Sequence, residues 1–214
     1  MLGLVNNAGQ SASTGPIHGV AVGLVTNNND PESMGRVKLK FPWLADSYES
    51  DWARMTQFGA GPDSGAVFMP EVNDEVLVAF EFGDVRRPIV VGALYNGKDK
   101  PRLGDALFDN GKVKRRGVVS RKGHRFILFD DPGKSGIALI TSDSSIKVSL
   151  NETKSEIHVV CKGKVRIEAQ DDVSIKSSKK VSIEGDQLEM TGTSGVKVTS
   201  SSAVEVSGKP IKLN

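Results

Sequence analysis

The chain has 214 residues, of which 38% are hydrophobic and 25% charged, a balance that suits one large folded domain or two small ones and excludes a disordered chain. Its single cysteine, Cys161, excludes an internal disulfide and a thiolate metal cluster. No run approaches the ~20 apolar residues that span a bilayer, and Met1 to Gly19 lacks the basic start and apolar core of a signal peptide. The expectation is a soluble chain assembled in the cytoplasm, which would need some other route to leave the cell.

The net charge of +2 hides an asymmetry. Residues 1–110 hold 9 Lys and Arg against 14 Asp and Glu, whereas residues 111–214 hold 19 against 12. The basic side chains of the second half mostly alternate with apolar ones, as on the wet face of a strand, and few aromatics stand among them. Nucleic-acid tracks need stacking aromatics, so no nucleic-acid partner is expected.

In chain order, residues 1–16 are small and polar (Asn6, Asn7, Ser11, Ser13, Thr14), as in a flexible tail. Residues 17–100 carry five strand-like runs: Gly19–Thr26, Gly35–Phe41, Ala53–Gln57, Glu75–Phe82 and Pro88–Tyr95. Turn signals separate them, as in Asn27-Asn28-Asn29-Asp30-Pro31 and Asn96-Gly97. Val37, Leu39 and Phe41 alternate with Lys38 and Lys40, the period of a strand with one buried face. Five strands in this length suit an OB-type Greek-key barrel, and both Trp and both Tyr lie here to fill its core. Residues 101–122 read as a linker.

The rest is a repeat. Ile157-x-Val159, Val165-x-Ile167, Val173-x-Ile175 and Val181-x-Ile183 are spaced by eight, and Leu188-x-Met190, Val196-x-Val198, Val204-x-Val206 and Ile211-x-Leu213 follow at seven or eight. Each unit is a three-residue strand with two side chains facing one way, and Gly, Ser, Asp or Lys turns the chain between units. A single ribbon of such strands has nothing to bury them against and leaves its edges unpaired. Two arrangements answer this: a three-sided solenoid of one chain, or three chains wound into a triangular prism. Eight units give the solenoid only a few turns and no aromatic cap, which favours the trimer.

Several separated motifs resemble one family. Gly35-Arg36-Val37-Lys38-Leu39-Lys40-Phe41-Pro42-Trp43, Trp52-Ala53-Arg54, Gly65 through Phe80, and Gly83 through Gly97 resemble the barrel of contractile-injection spikes. Gly123 through Asp131, leading to Ile137–Thr141, is similar to the segment that opens the needle of those proteins. The family comprises type VI secretion spikes (valine-glycine repeat protein G) and phage tail baseplate spikes. The resemblance implies an all-β homotrimer with an OB barrel collar at 17–100 and an intertwined triple-stranded β-helical needle at 123–214. It implies a non-enzymatic spike at the tip of a sheath-driven tube, crossing the target membrane transiently, with hub, baseplate and tube proteins as partners. It also implies a PAAR-type tip protein, docked here on Ile211, Lys212, Leu213 and Asn214. Secretion-type relatives carry a large hub before the barrel, so the hub is expected as a separate protein or as a part removed. The stretch between Gly97 and Lys112 is too short for the lysozyme domain that some phage spikes insert there.

No stretch supports catalysis, a cofactor or a metal. His18, His124 and His158 are far apart and match no metal-binding spacing. His158 falls between Ile157 and Val159 and so faces outward. Asp130-Asp131 and Asp171-Asp172 read as turn residues, and the Gly59–Gly65 run lacks the Gly-Lys-Ser/Thr ending of a phosphate loop. The alternative is an OB module binding nucleic acid or oligosaccharide, with a solenoid tail.

Overall fold

The computed structural model describes residues 15–103 and 107–211. The tail expected at 1–16 falls almost wholly outside the described residues, as do Lys212, Leu213 and Asn214 of the expected tip-docking end. The chain divides into two units, Met1–Gly163 and Lys164–Asn214. Among the described residues it is all-β apart from one 3₁₀ turn at Glu81–Gly83.

The first sheet is built from β1 (Val20–Asn27), β2 (Lys38–Lys40), β3 (Arg54–Met55), β6 (Glu75–Phe80) and β7 (Pro88–Ala93), in the order β2-β1-β6-β7-β3. A small hairpin, β4 (Ala60–Gly61) with β5 (Ser64–Gly65), projects between β3 and β6. Neighbours run antiparallel except β3 and β7, which are parallel. A bridge between Val37 and Ala53 joins the stretches leading into the two edge strands, β2 and β3. The sheet therefore closes on itself, and closure removes the edges that an open sheet would expose.

Strict alternation fills this barrel. In β6, Val76, Val78 and Phe80 are buried while Glu75, Leu77 and Ala79 are only partly so. Val25, Val37, Leu39, Phe41, Ala53 and Val90 complete the core. The Phe41 ring lies 5.5 Å from both Trp43 and Phe80, within the range where tilted ring pairs attract. All five expected strands occur, but Gly35–Phe41 shortens to Lys38–Lys40 and Ala53–Gln57 to Arg54–Met55, each preceded by its residue of the Val37–Ala53 bridge.

The turn between β1 and β2 is held by one carboxylate. Asp30 Oδ1 and Oδ2 accept from the Arg36 guanidinium at 2.7 and 3.0 Å, and from the backbone N–H groups of Glu32, Met34 and Arg36. The Arg36 side chain, above all, keeps the Asp30 carboxyl well below the usual carboxylate range, and the backbone donors add to this.

Beyond the barrel, the stretch 101–122 that reads as a linker carries structure of its own. A hairpin pairs β8 (Phe108–Asp109) with β9 (Lys112–Val113) around Asn110-Gly111, both in left-handed conformations suited to a two-residue turn. Then β10 (Arg115–Val119), β11 (Arg125–Asp131), β12 (Lys134–Ile140), β13 (Ile146–Asn151) and β14 (Glu156–Cys161) form an antiparallel meander in sequence order. Gly136 sits where β12 passes closest to β13: a Cβ there would lie 1.9 Å from the Leu150 carbonyl oxygen. In the second unit no strand is assigned between residues 164 and 211.

Candidate self-assembly surface

The meander has two faces of opposite character, and its register shows which residues share each. On one face Ile127 pairs with Ala138 and Ala138 with Ser149, and Phe129 stands beside Gly136. The chain covers this face itself: Leu103, from the stretch after the barrel, packs with Ile127, Phe129 and Ala138, and Leu107 and Ile140 flank them. Polar groups close its rim. Arg115 Nη2 donates to Asp131 Oδ2 at 3.0 Å across β10 and β11.

The opposite face is apolar and uncovered. Phe126 pairs with Leu139, Leu139 with Val148, and Val148 with Val159, making one apolar row across four strands. A second row runs Leu128, Ile137, Leu150, Ile157. With Val118 and Ile146 these ten side chains stay between 37% and 74% exposed. Such a contiguous bare face differs from the singly scattered surface hydrophobes that need no explanation. Arg116 and Asp130 close one end of it with an exposed ion pair at 3.0 Å.

The second unit repeats the theme without any covered side. Its apolar pairs from Val165 to Val206, together with Ile211, are 49–75% exposed. No in-chain ladder joins these units, so both their side chains and their backbones lack a partner within the described chain. Buried β-branched and aliphatic side chains are worth about 1.5–3 kcal/mol each. Leaving thirteen such groups in water is unfavourable compared with pairing them between chains.

The other residues singled out in the sequence fall as follows. Ile211, the one described member of the tip-docking end, is about half exposed. His158 pairs with Ser149 on the face away from Ile157 and Val159, as strand alternation requires. His124 Nδ1 accepts from the Ser142 N–H at 3.2 Å and belongs to a turn, not to a metal set. Asp130 and Asp131 end β11 before the Pro132-Gly133 turn and also hold Arg116 and Arg115, a cross-strand role that spacing alone did not reveal. Asp171 and Asp172 are exposed, and residues 59–65 form the β4–β5 hairpin. Among the described residues no group of three or more His, Cys, Asp and Glu could hold a metal ion, and no helix is long and apolar enough to cross a membrane.

A closed five-strand barrel whose third strand runs parallel to the last, followed by a meander with one bare apolar face, defines an OB-barrel protein with a β extension. Residues 21–95 match the family model of the type VI secretion system/phage-baseplate injector OB domain. The relatives found for the chain are spike proteins of the kind that its motifs resemble. It is 34% identical over 135 residues to the type VI secretion system spike protein VgrG2a of Pseudomonas aeruginosa, covering 60% of this chain and 16% of that protein. With the spike protein VgrG3 of Vibrio cholerae it shares 27% identity over 149 residues, 67% of this chain and 14% of the relative. The protein named actin cross-linking toxin VgrG1, also of Vibrio cholerae, is 30% identical over 130 residues, 58% of this chain and 12% of its own length. The matches thus span less than a fifth of each of these relatives.

Proposed function

We propose that the chain is the barrel-and-needle part of a homotrimeric spike at the tip of a contractile injection apparatus. One observation carries this reading: the meander covers one apolar face with its own Leu103 and leaves the other bare, and the bare rows continue in kind as the repeat. Three copies with those faces inward would bury them on a common axis. In that arrangement the barrel, residues 17–100, forms a collar, and residues 123–214 wind with two copies into a β-helical needle whose base is the meander.

The role is mechanical and involves no catalytic step. Cross-chain backbone hydrogen bonds would close every edge, giving a stiff rod with no strand to peel. The polar outer positions, such as Arg166, Glu189, Lys197 and Glu205, keep the rod soluble and let it cross a membrane without lodging there. Work comes from sheath and tube, which with the hub and baseplate proteins are the partners, and assembly takes place in the cytoplasm before the particle acts. The end from Ile211 to Asn214 would seat a PAAR-type tip protein. Light scattering on the purified chain tests the core of this proposal. A mass three times the 22.9 kDa of one chain is expected, and a stable monomer at micromolar concentration overturns it.

A further inference from the structure

Where the stretch following the barrel meets the first hairpin of the meander, the molecule opens a cleft of about 690 Å³. Five cations line it: Lys100 and Arg102 from one wall, and Arg121, Lys122 and Arg125 from the other. No carboxylate lines it among the described residues. We infer that this cleft binds a phosphate group, presented by an anionic lipid headgroup or as a free phosphate.

Three observations support a built site over a solvated basic face. The β10–β11 turn is fixed by its own hydrogen bonds: Ser120 N–H donates to the His124 carbonyl at 2.9 Å, and Gly123 N–H to the Ser120 carbonyl at 2.8 Å. That turn places Arg121 and Lys122 at its tip, opposite Lys100 and Arg102. Second, the neutral groups are also donors. Ser120 Oγ accepts from the His124 N–H at 3.0 Å and so keeps its own proton to offer, and Ser142 stands beside it in the lining. Third, Arg125 Nε is buried with no acceptor, while its Nη2 reaches only the Ser144 hydroxyl at 3.4 Å. A guanidinium in that state lacks the planar oxyanion partner it is shaped for.

Position matters as much as charge. Arg125 pairs with Val119 and Ile140, on the face that carries Ile127 and Phe129. By register that is the face away from the bare apolar rows, although Ser120 and Arg125 also border the apolar depression that holds Phe126 and Leu139. One sign of charge in a walled cleft focuses the field and draws an anion in. Arg121 also meets Glu71 at 3.3 Å, an exposed pair that a bound phosphate would displace. The lining holds a single aromatic, Tyr95, too few for the successive stacking platforms of a nucleic-acid strand.

The test uses the full chain in two arms at about 0.1 M salt, where exposed charges more than ~10 Å apart are screened. Titration calorimetry reads pyrophosphate binding, and pelleting reads binding to phosphatidylcholine vesicles with and without phosphatidylglycerol. The double substitution Lys100→Gln/Arg102→Gln is expected to weaken the binding about ten-fold, and Lys179→Gln/Lys180→Gln in the repeat to leave it unchanged. Binding in both arms shows that phosphate itself suffices, and binding in the vesicle arm alone makes the headgroup the source. Either result, with that pattern of variants, supports the site. Binding in neither arm, equal loss from the repeat variant, or tighter binding of a single-stranded oligonucleotide than of pyrophosphate overturns it. The mass measurement above is independent of these outcomes.

Discussion

The barrel and the repeat use the same apolar residue types at the same period of two, yet only the barrel makes a core. In β6, Val76 and Val78 are fully buried because closure sets four other strands around them. In the repeat, Val173 and Ile175 remain 59% and 72% exposed, because no ladder joins these units to each other or to another strand among the described residues. The meander stands between the two cases, with one face satisfied from within and one left bare. The difference teaches that alternation specifies a face, while topology decides whether the chain can cover it.

The largest effect that would break this comparison comes from the repeat. Ile175→Asp with Ile183→Asp is expected to abolish assembly, since a carboxylate in an apolar interface cannot stay charged without a partner. Light scattering would show monomer or aggregate, while the barrel keeps its cooperative melt. The converse substitution is Leu39→Ala, in the heart of the barrel. It should cost about 2–5 kcal/mol of barrel stability, measured by denaturant unfolding, and leave the stoichiometry intact. Gly136→Ala comes next, at about 1–3 kcal/mol or more, because a Cβ there runs into the Leu150 carbonyl and strains the β12–β13 ladder.

Acid should act through the carboxylates that the fold depresses, above all the three shifted most. Asp84 is lowered from 3.8 to about 2, chiefly by the Arg86 side chain, and Asp143 to about 2, chiefly by the Ser145 N–H. Asp30 is lowered as well, by Arg36. A depressed folded-state pKa gives stability that is full above the ordinary value and is lost as pH falls through the folded value. Thermal melting is therefore expected to be insensitive to these groups at neutral pH and to decline from about pH 4 toward pH 2, and Asp30→Asn should lessen that decline. Smallest of all, Arg116→Gln breaks an exposed pair and should change stability by no more than about 1 kcal/mol.

Much of the barrel was legible because its signals are local. Val37, Leu39 and Phe41 show their period directly, and all three are buried. The parallel pairing of β3 with β7 was not legible, since nothing in Arg54-Met55 names a partner so distant in sequence. Strand β10 lay hidden in the apparent linker, because Arg115-Arg116-Gly117 reads as a polar, Gly-broken run before Val118-Val119. Its arginines are strand residues only because Asp130 and Asp131 answer them across the ladder. The repeat was legible as a face in need of a partner, and its spacing alone named the residues that the structure leaves bare. The basic cleft was invisible, since Lys100, Arg102 and Arg125 come together only when the stretch after the barrel folds back on the meander.

Backbone hydrogen exchange over residues 165–211 tests the central claim most directly. Within one chain these amides have no ladder partners, so they would exchange at nearly the rate of an unfolded peptide. Winding with two other copies predicts protection comparable to that of β6 and β7 in the barrel, lost together with the assembly in Ile175→Asp/Ile183→Asp. Fast, unprotected exchange across the repeat in the intact protein would contradict the intertwined needle.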